Sequence, residues 1–323
     1  MPEPLAPRTR LFAAVLRLAA PEPADATEMI TLRGRRDRLR ETPLGRWVFG
    51  PLASGVTAVE RSVTVNGSAQ RLLIHRPSGA ARGTGPLPIV VNFHGGGWCL
   101  GAPEQSAWLA SNVAAMTGAL VVSPSYRLAP EHPYPAAVED SWALLQWIVE
   151  HAESLGGDAQ RVAVMGDSAG GNLAAVAALT ARDAGGVAGS RLRAQVLIYP
   201  AVEMYERYPS ETEFAQAPVL TQKQMHAFGR LYMGERYGDE DWRASPLRAA
   251  SHADLPPALI VLAGHDPLRD HGLRYAAALR GAGVEVSVRD HGPGVHGFLS
   301  LPGVVPVAKD ALTDIAAFLR ARL

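Results

Sequence analysis

The chain is 323 residues long, with 47% hydrophobic and 19% charged residues, which suits one α/β core with an added subdomain. Its 31 basic residues balance 31 acidic ones, so charge marks neither a nucleic-acid nor an anionic-membrane partner. Cys99 is the only cysteine, which excludes an intrachain disulfide and a cysteine-based zinc site; beside Trp98 it reads as a small buried hydrophobe.

In chain order, Arg8 and Arg10 precede an apolar run, Leu11 to Leu16, that Arg17 cuts short. No small-residue cleavage site follows, so the run does not read as a secretion signal. Leu11, Val15 and Leu18 share helical spacing and predict an amphipathic helix lying on the body. No stretch approaches the ~20 apolar residues of a membrane span, and we expect a soluble, cytoplasmic protein. Ser62–Val65 and Arg71–Ile74 flank Asn66-Gly67, a hairpin signal; Asn66-Gly-Ser68 also fits a glycosylation acceptor, but the tight turn explains it better.

After a Gly/Pro-rich break, Leu87–Phe93 is a continuous apolar run of buried-strand length. Similar runs follow at Ala119–Val122, Val162–Met165, Gln195–Tyr199, Leu259–Leu262 and Val284–Val288. Helical patterns fall between most of them, at Trp108–Met116, Ala136–Leu155, Leu173–Arg182 and Gly272–Gly281, and Val307–Leu323 closes the chain. Strands without polar alternation, separated by helices, predict a mostly parallel eight-stranded sheet with helices on both faces. Residues 1–55 and 203–248 break this rhythm, and the second region is rich in aromatics and methionine. We read them as two parts of a helical cap over the carboxyl ends of the strands; the alternative is two unrelated decorations. Residues 56–202 and 249–323 then form the catalytic domain, and no internal repeats are visible.

The stretch Gly166-Asp-Ser-Ala-Gly170 follows a predicted strand and precedes a helix. That context turns Gly-x-Ser-x-Gly into a candidate nucleophile elbow, with Ser168 lifted clear of the sheet on a strained turn above a helix N-terminus. A serine nucleophile needs a base and a group that orients the base. On such elbows an acid and then a histidine follow in the chain. Asp266 stands just past the run Leu259–Leu262, and His296 lies in a Gly-rich loop past the last predicted strand. Asp270 reads as an outward first-turn carboxylate, and His265 and His291 as surface or supporting groups. Phe93-His-Gly-Gly-Gly-Trp98 offers backbone N–H groups beyond a buried strand, where an acyl-transfer oxyanion would be held. His94 reads as a brace for that loop rather than a base.

His94-Gly-Gly-Gly-Trp98, Tyr126 to Asp140, Gly166 to Asn172, Asp266-Pro-Leu-Arg-Asp270 and His296-Gly-Phe298 together resemble the hormone-sensitive lipase family of bacterial (family IV) carboxylesterases, from about residue 60 onward. The resemblance implies an α/β-hydrolase fold with a helical cap, and a triad of Ser168, Asp266 and His296. It puts the oxyanion N–H groups on Gly96, Gly97 and Ala169, with Gly95 shaping the turn, and suggests a homodimer through the last strand and helix. Tyr126 to Asp140 reads as scaffold behind the site. His271 departs from the family, where an acidic residue often stands.

The expected activity is hydrolysis of short- to medium-chain acyl esters through an acyl-enzyme, with neither metal nor organic cofactor required. Trp98, Phe214, Met225 and Phe228 are candidates for substrate contact; the aromatics of the second region serve equally well as the cap's own core. An amidase or peptidase would use the same triad. A small-molecule binding protein is the remaining alternative: the plant gibberellin receptors resemble this family but lack the histidine present here at 296.

Overall fold

The computed structural model describes residues 3–19, 25–78, 85–185 and 192–323. Three helices come first: α1 (Pro7–Ala19), α2 (Ala26–Glu41) and α3 (Pro43–Phe49). The last two begin on side-chain caps, the Asp25 carboxylate accepting from the Glu28 N–H and the Thr42 hydroxyl from the Gly45 N–H, which satisfies donors a first turn leaves open. The helix expected near the N-terminus is present as α1, but it docks by another face. Leu11 and Val15 are 69% and 55% exposed, whereas Thr9 and Ala13 are buried and the Thr9 hydroxyl donates to the Val304 carbonyl at 2.8 Å. Positions 9, 12, 13 and 16 have the same helical spacing as 11, 15 and 18. Periodicity alone cannot choose between two such stripes, and a hydroxyl reaching a carbonyl decides it. The Leu18 side chain lies outside the described residues.

The hairpin forms as expected, with β1 (Val56–Val65) and β2 (Ser68–Pro77) joined through Asn66 and Gly67 at φ 49° and 69°, both in the left-handed region a two-residue hairpin turn demands. The α/β series then runs β3 (Leu87–Phe93), α4 (Ala107–Thr117), β4 (Leu120–Pro124), α5 (Ala136–Glu150), β5 (Gly157–Asp167), α6 (Ala169–Ala184) and β6 (Leu192–Ile198). Two short helices, α7 (Pro209–Glu213) and α8 (Gln222–Met233), stand between β6 and β7 (Ala258–His265); α9 (Arg269–Gly281), β8 (Val286–Val295) and α10 (Ala308–Arg320) complete the chain.

One eight-stranded sheet has the order β1-β2-β4-β3-β5-β6-β7-β8. β2 is antiparallel to both its neighbours and every pair from β4 to β8 is parallel. Successive strand residues point to opposite faces, so the apolar runs feed two cores. Ile89, Val91, Val162 and Val164 meet residues of α5, α6 and α9 such as Leu144, Leu173 and Leu279. Val90, Val121, Ala163 and Met165 meet α4 and α10 through Leu109, Val113, Ile315 and Leu319. This double burial is why the strands show no alternation in the sequence. Among the described residues no helix is long and apolar enough to cross a membrane.

The last strand is longer than its apolar run. The stretch after Val288, read as a Gly-rich loop, continues β8 to Val295, and the pairing with β7 shifts register between Ala263 and His265. Glycine permits this: a Cβ at Gly264 would stand 2.1 Å from the Gly292 carbonyl oxygen, and such close approach marks irregular strand pairing. His296 therefore leaves directly from a strand end.

Tyr126 to Asp140 is scaffold. The fully buried Asp140 carboxylate accepts from the Arg127 backbone N–H and guanidinium, from Asn66 at 3.1 Å and from Gln70 at 3.3 Å, fastening the hairpin to the stretch before α5. Replacing Asp140 by Ala strands these donors, and the largely buried Arg127 side chain, 22% exposed, recovers only part of its solvation. Denaturant unfolding should show a loss of roughly 3 kcal/mol; an unchanged midpoint would refute the fastening role.

Candidate active site

At the end of β5 the chain turns through Ser168, at φ 57° and ψ −119°, into the first residue of α6. For a non-glycine residue this is a strained conformation that surrounding packing must impose. The packing is visible in the flanking glycines: a Cβ at Gly166 would stand 2.2 Å from the Gly170 carbonyl oxygen, and one at Gly170 would stand 2.0 Å from the Phe93 carbonyl oxygen. The turn is tight enough to exclude a side chain at both position 166 and position 170.

β5, β7 and β8 are parallel, so residues just beyond their carboxyl ends share one rim of the sheet. Ser168, Asp266 and His296 meet there. His296 Nε2 lies 2.8 Å from Ser168 Oγ, and His296 Nδ1 lies 2.7 Å from Asp266 Oδ2. Asp266 is fully buried and its other oxygen accepts from the Leu268 N–H at 2.8 Å. With Nδ1–H donating to the carboxylate, Nε2 is left as the acceptor for the serine hydroxyl. The buried Tyr199 ring lies 4.9 Å from the imidazole and limits its swing.

The competing residues lie elsewhere. His265 Nε2 bonds to the Glu3 carbonyl at 2.8 Å, and His291 packs on Phe298 and lies 3.5 Å from Asp314. Asp270, expected to face outward, instead accepts from the Ser210 N–H at 3.0 Å. The segment carrying α7 folds back over this loop, a contact between residues far apart in sequence.

The triple-glycine loop follows β3 beside the serine, with Gly96 and Gly97 at φ 128° and 61°. Among the described residues no backbone acceptor takes the Gly96 or Gly97 N–H, and Ala169, as the first residue of α6, has no helical partner for its N–H. The Gly95 N–H is occupied, donating to Asp167 Oδ1 at 2.9 Å. His94 stacks on Tyr126 at 4.4 Å and its Nδ1 bonds to the Gly95 carbonyl at 2.9 Å. Burial pushes its pKa down to about 4, so the ring is a neutral brace.

A cavity of about 50 Å³ opens beside this rim, with Trp98, Met225 and Leu268 in its wall and Arg207, Glu211 and His226 at its polar end. Phe228 lies against the loop, its ring 2.5 Å from where a Cβ on Gly97 would stand. Of the sequence candidates for substrate contact, Trp98 and Met225 line this wall and Phe214 and Phe228 do not; the Phe214 ring meets His265 at 6.1 Å. Trp98 is 4% exposed and stacks on Tyr232 at 4.4 Å. Among the described residues no group of three or more His, Cys, Asp or Glu is placed to hold a metal ion.

Sequence reasoning missed Asp167 and Tyr199. Tyr199 gave no signal, but an acidic residue directly before the candidate serine did. Burial raises the Asp167 pKa from its ordinary 3.8 to about 6, with the Gly95 N–H pulling the other way. The folded state thus binds this proton more tightly than the unfolded chain, so the group's contribution to stability falls as pH rises from about 4 through 6. Asp167→Asn keeps an acceptor for Gly95 and cannot ionise. Its stability relative to the parent should rise between pH 4 and pH 7.5; a difference independent of pH in thermal unfolding would overturn this.

A family model described as the alpha/beta hydrolase fold matches residues 90–300. Esterase LipI of Mycobacterium tuberculosis is 47% identical over 225 residues, 69% of this chain and 69% of that protein. Carboxylesterase NlhH of the same organism is 47% identical over 240 residues, 73% of this chain and 74% of that one. Among solved structures, a hyperthermophilic esterase from the archaeon Pyrobaculum calidifontis superposes with a TM-score of 0.88 at 35% identity, covering 99% of both chains. A thermostable esterase from Pseudomonas putida superposes with a TM-score of 0.86 at 33% identity, covering 99% of this chain and 98% of that one. The chain belongs to the α/β-hydrolase family, and within it to the family IV carboxylesterases of hormone-sensitive lipase type.

Proposed function

We propose that this carboxylesterase works through an acyl-enzyme on Ser168, with His296 as base and acid and Asp266 as the group that orients it. The observation carrying this reading is the continuous row from Ser168 Oγ through the imidazole to the buried Asp266, with steps of 2.8 Å and 2.7 Å. His296 takes the serine proton as Oγ attacks the ester carbonyl. Asp266 fixes the tautomer and stabilises the imidazolium. The N–H groups of Gly96, Gly97 and Ala169 receive the developing oxyanion, where one donor is worth about 10²–10³ in turnover. His296 then protonates the departing alcohol, and later activates the water that releases the acid.

In the same reading, residues 1–55 and 203–248 are a cap over the site. Its support is the docking of both on the oxyanion loop: Arg33 of α2 donates to the Cys99 and Ala129 carbonyls, each at 2.9 Å, and Phe228 of α8 lies on Gly97. Trp98, Met225 and Phe228 would then contact the substrate, and the Phe228 ring lying on Gly97 would restrict the site to short to medium acyl groups. A homodimer through β8 and α10 is supported by the outer position of β8 in the sheet.

Ser168→Ala should lower turnover of a nitrophenyl ester by about 10⁴-fold or more while leaving the unfolding midpoint in place; near-parental turnover would reject the nucleophile. In a chain-length series, rates should fall for acyl groups beyond about ten carbons, and a preference for those longer chains would remove the restricted pocket. Matched ester and amide substrates separate the esterase from an amidase on the same site.

A further inference from the structure

The loop from Asp266 to Asp270 carries the proposed triad acid, yet much of what fixes it comes from α7, more than fifty residues earlier in the chain. Ser210 is 2% exposed and makes three bonds across the loop. Its hydroxyl donates to the Pro267 carbonyl at 2.7 Å and accepts from the Asp270 N–H at 3.2 Å, while its own N–H donates to Asp270 Oδ2 at 3.0 Å. Between the two clamped residues stands Leu268, whose N–H holds Asp266 Oδ1. A shift of Pro267 would carry Leu268 with it and rotate the carboxylate that His296 needs.

The neighbouring residue keeps Ser210 in place. Glu211 has a side chain only 1% exposed, and its carboxylate accepts from the Tyr208 N–H at 3.1 Å and from Arg207 at 3.2 Å. A buried carboxylate without partners would not stay charged. His226 of α8 stands 3.4 Å from it, and His271 of α9, one residue past Asp270, stands 3.8 Å from it. An acidic residue at 271 would put two carboxylates face to face in a buried space, whereas histidine does not repel Glu211. The departure from the family pattern at position 271 thus goes together with the carboxylate at position 211.

We infer that Ser210 is a positioning residue for ester hydrolysis: its hydroxyl sets the loop that presents Asp266 to His296. This rests on the triad assignment, so the test carries a control for each. Active sites in Ser210→Ala, Ser210→Thr, Asp266→Asn and the parent would be titrated with an organophosphonate ester that labels Ser168, and turnover would be expressed per titrated site. This removes any misfolded fraction from the comparison. Ser210→Ala should lower kcat about tenfold with KM within about twofold, and Ser210→Thr, which keeps the hydroxyl, should recover most of the loss. Asp266→Asn should lower kcat by about 10³–10⁴. Parental kcat in Asp266→Asn would remove the triad reading and this inference together. A crippled Asp266→Asn beside parental kcat in Ser210→Ala, or equal losses in the Ala and Thr variants, would overturn the positioning role alone.

Discussion

Because a Cβ at position 170 would stand 2.0 Å from the Phe93 carbonyl oxygen, the first turn of α6 rests directly on the end of β3. That contact between bare backbones sets more than the serine. β3 runs into the triple-glycine loop, so the same approach that fixes Ser168 also fixes where the Gly96 and Gly97 amides begin. The proposed nucleophile and the proposed oxyanion donors are thereby aligned largely by main chain, a frame that needs no reorganisation as charge develops. The strain at Ser168 is held by this frame, with the Ser168 N–H anchored on the Ile198 carbonyl at 2.8 Å.

Around that frame, burial sorts the ionisable groups by their hydrogen-bond donors. Asp266 has two, the Leu268 amide and the His296 ring. Asp167, equally enclosed, has the Gly95 amide as its side-chain partner, and burial raises its pKa. His94, enclosed against Tyr126, stays neutral. The carboxyl directly before Ser168 is therefore a raised-pKa group, and the triple-glycine loop is tied to it through the Gly95 amide.

Local signals carried most of the architecture. Continuous apolar runs located the strands to within a few residues because both faces are covered, and Asn66-Gly67 marked its turn because few other residues accept the left-handed region twice. The three residues at the strand ends were legible for a topological reason: parallel strands bring their carboxyl ends together whatever the loops do. The misreadings share a cause. α1 chose its face by one hydroxyl reaching Val304, β8 outran its apolar run because two glycines let strands approach, and Asp270 turned inward to meet Ser210. Each depends on a partner distant in sequence, which neither periodicity nor composition encodes. Tyr199 and Ser210 escaped notice on the same ground.

Cys99 sits in the loop that follows the three glycines, fully buried beneath α2, with its carbonyl held by Arg33. Burial pushes its thiol up to about 12, which leaves it protonated and shielded from reagents that require a thiolate. The chain's sole sulfhydryl is thus inert while folded, and its reaction with an alkylating dye reports departure of α2 from the loop beneath it.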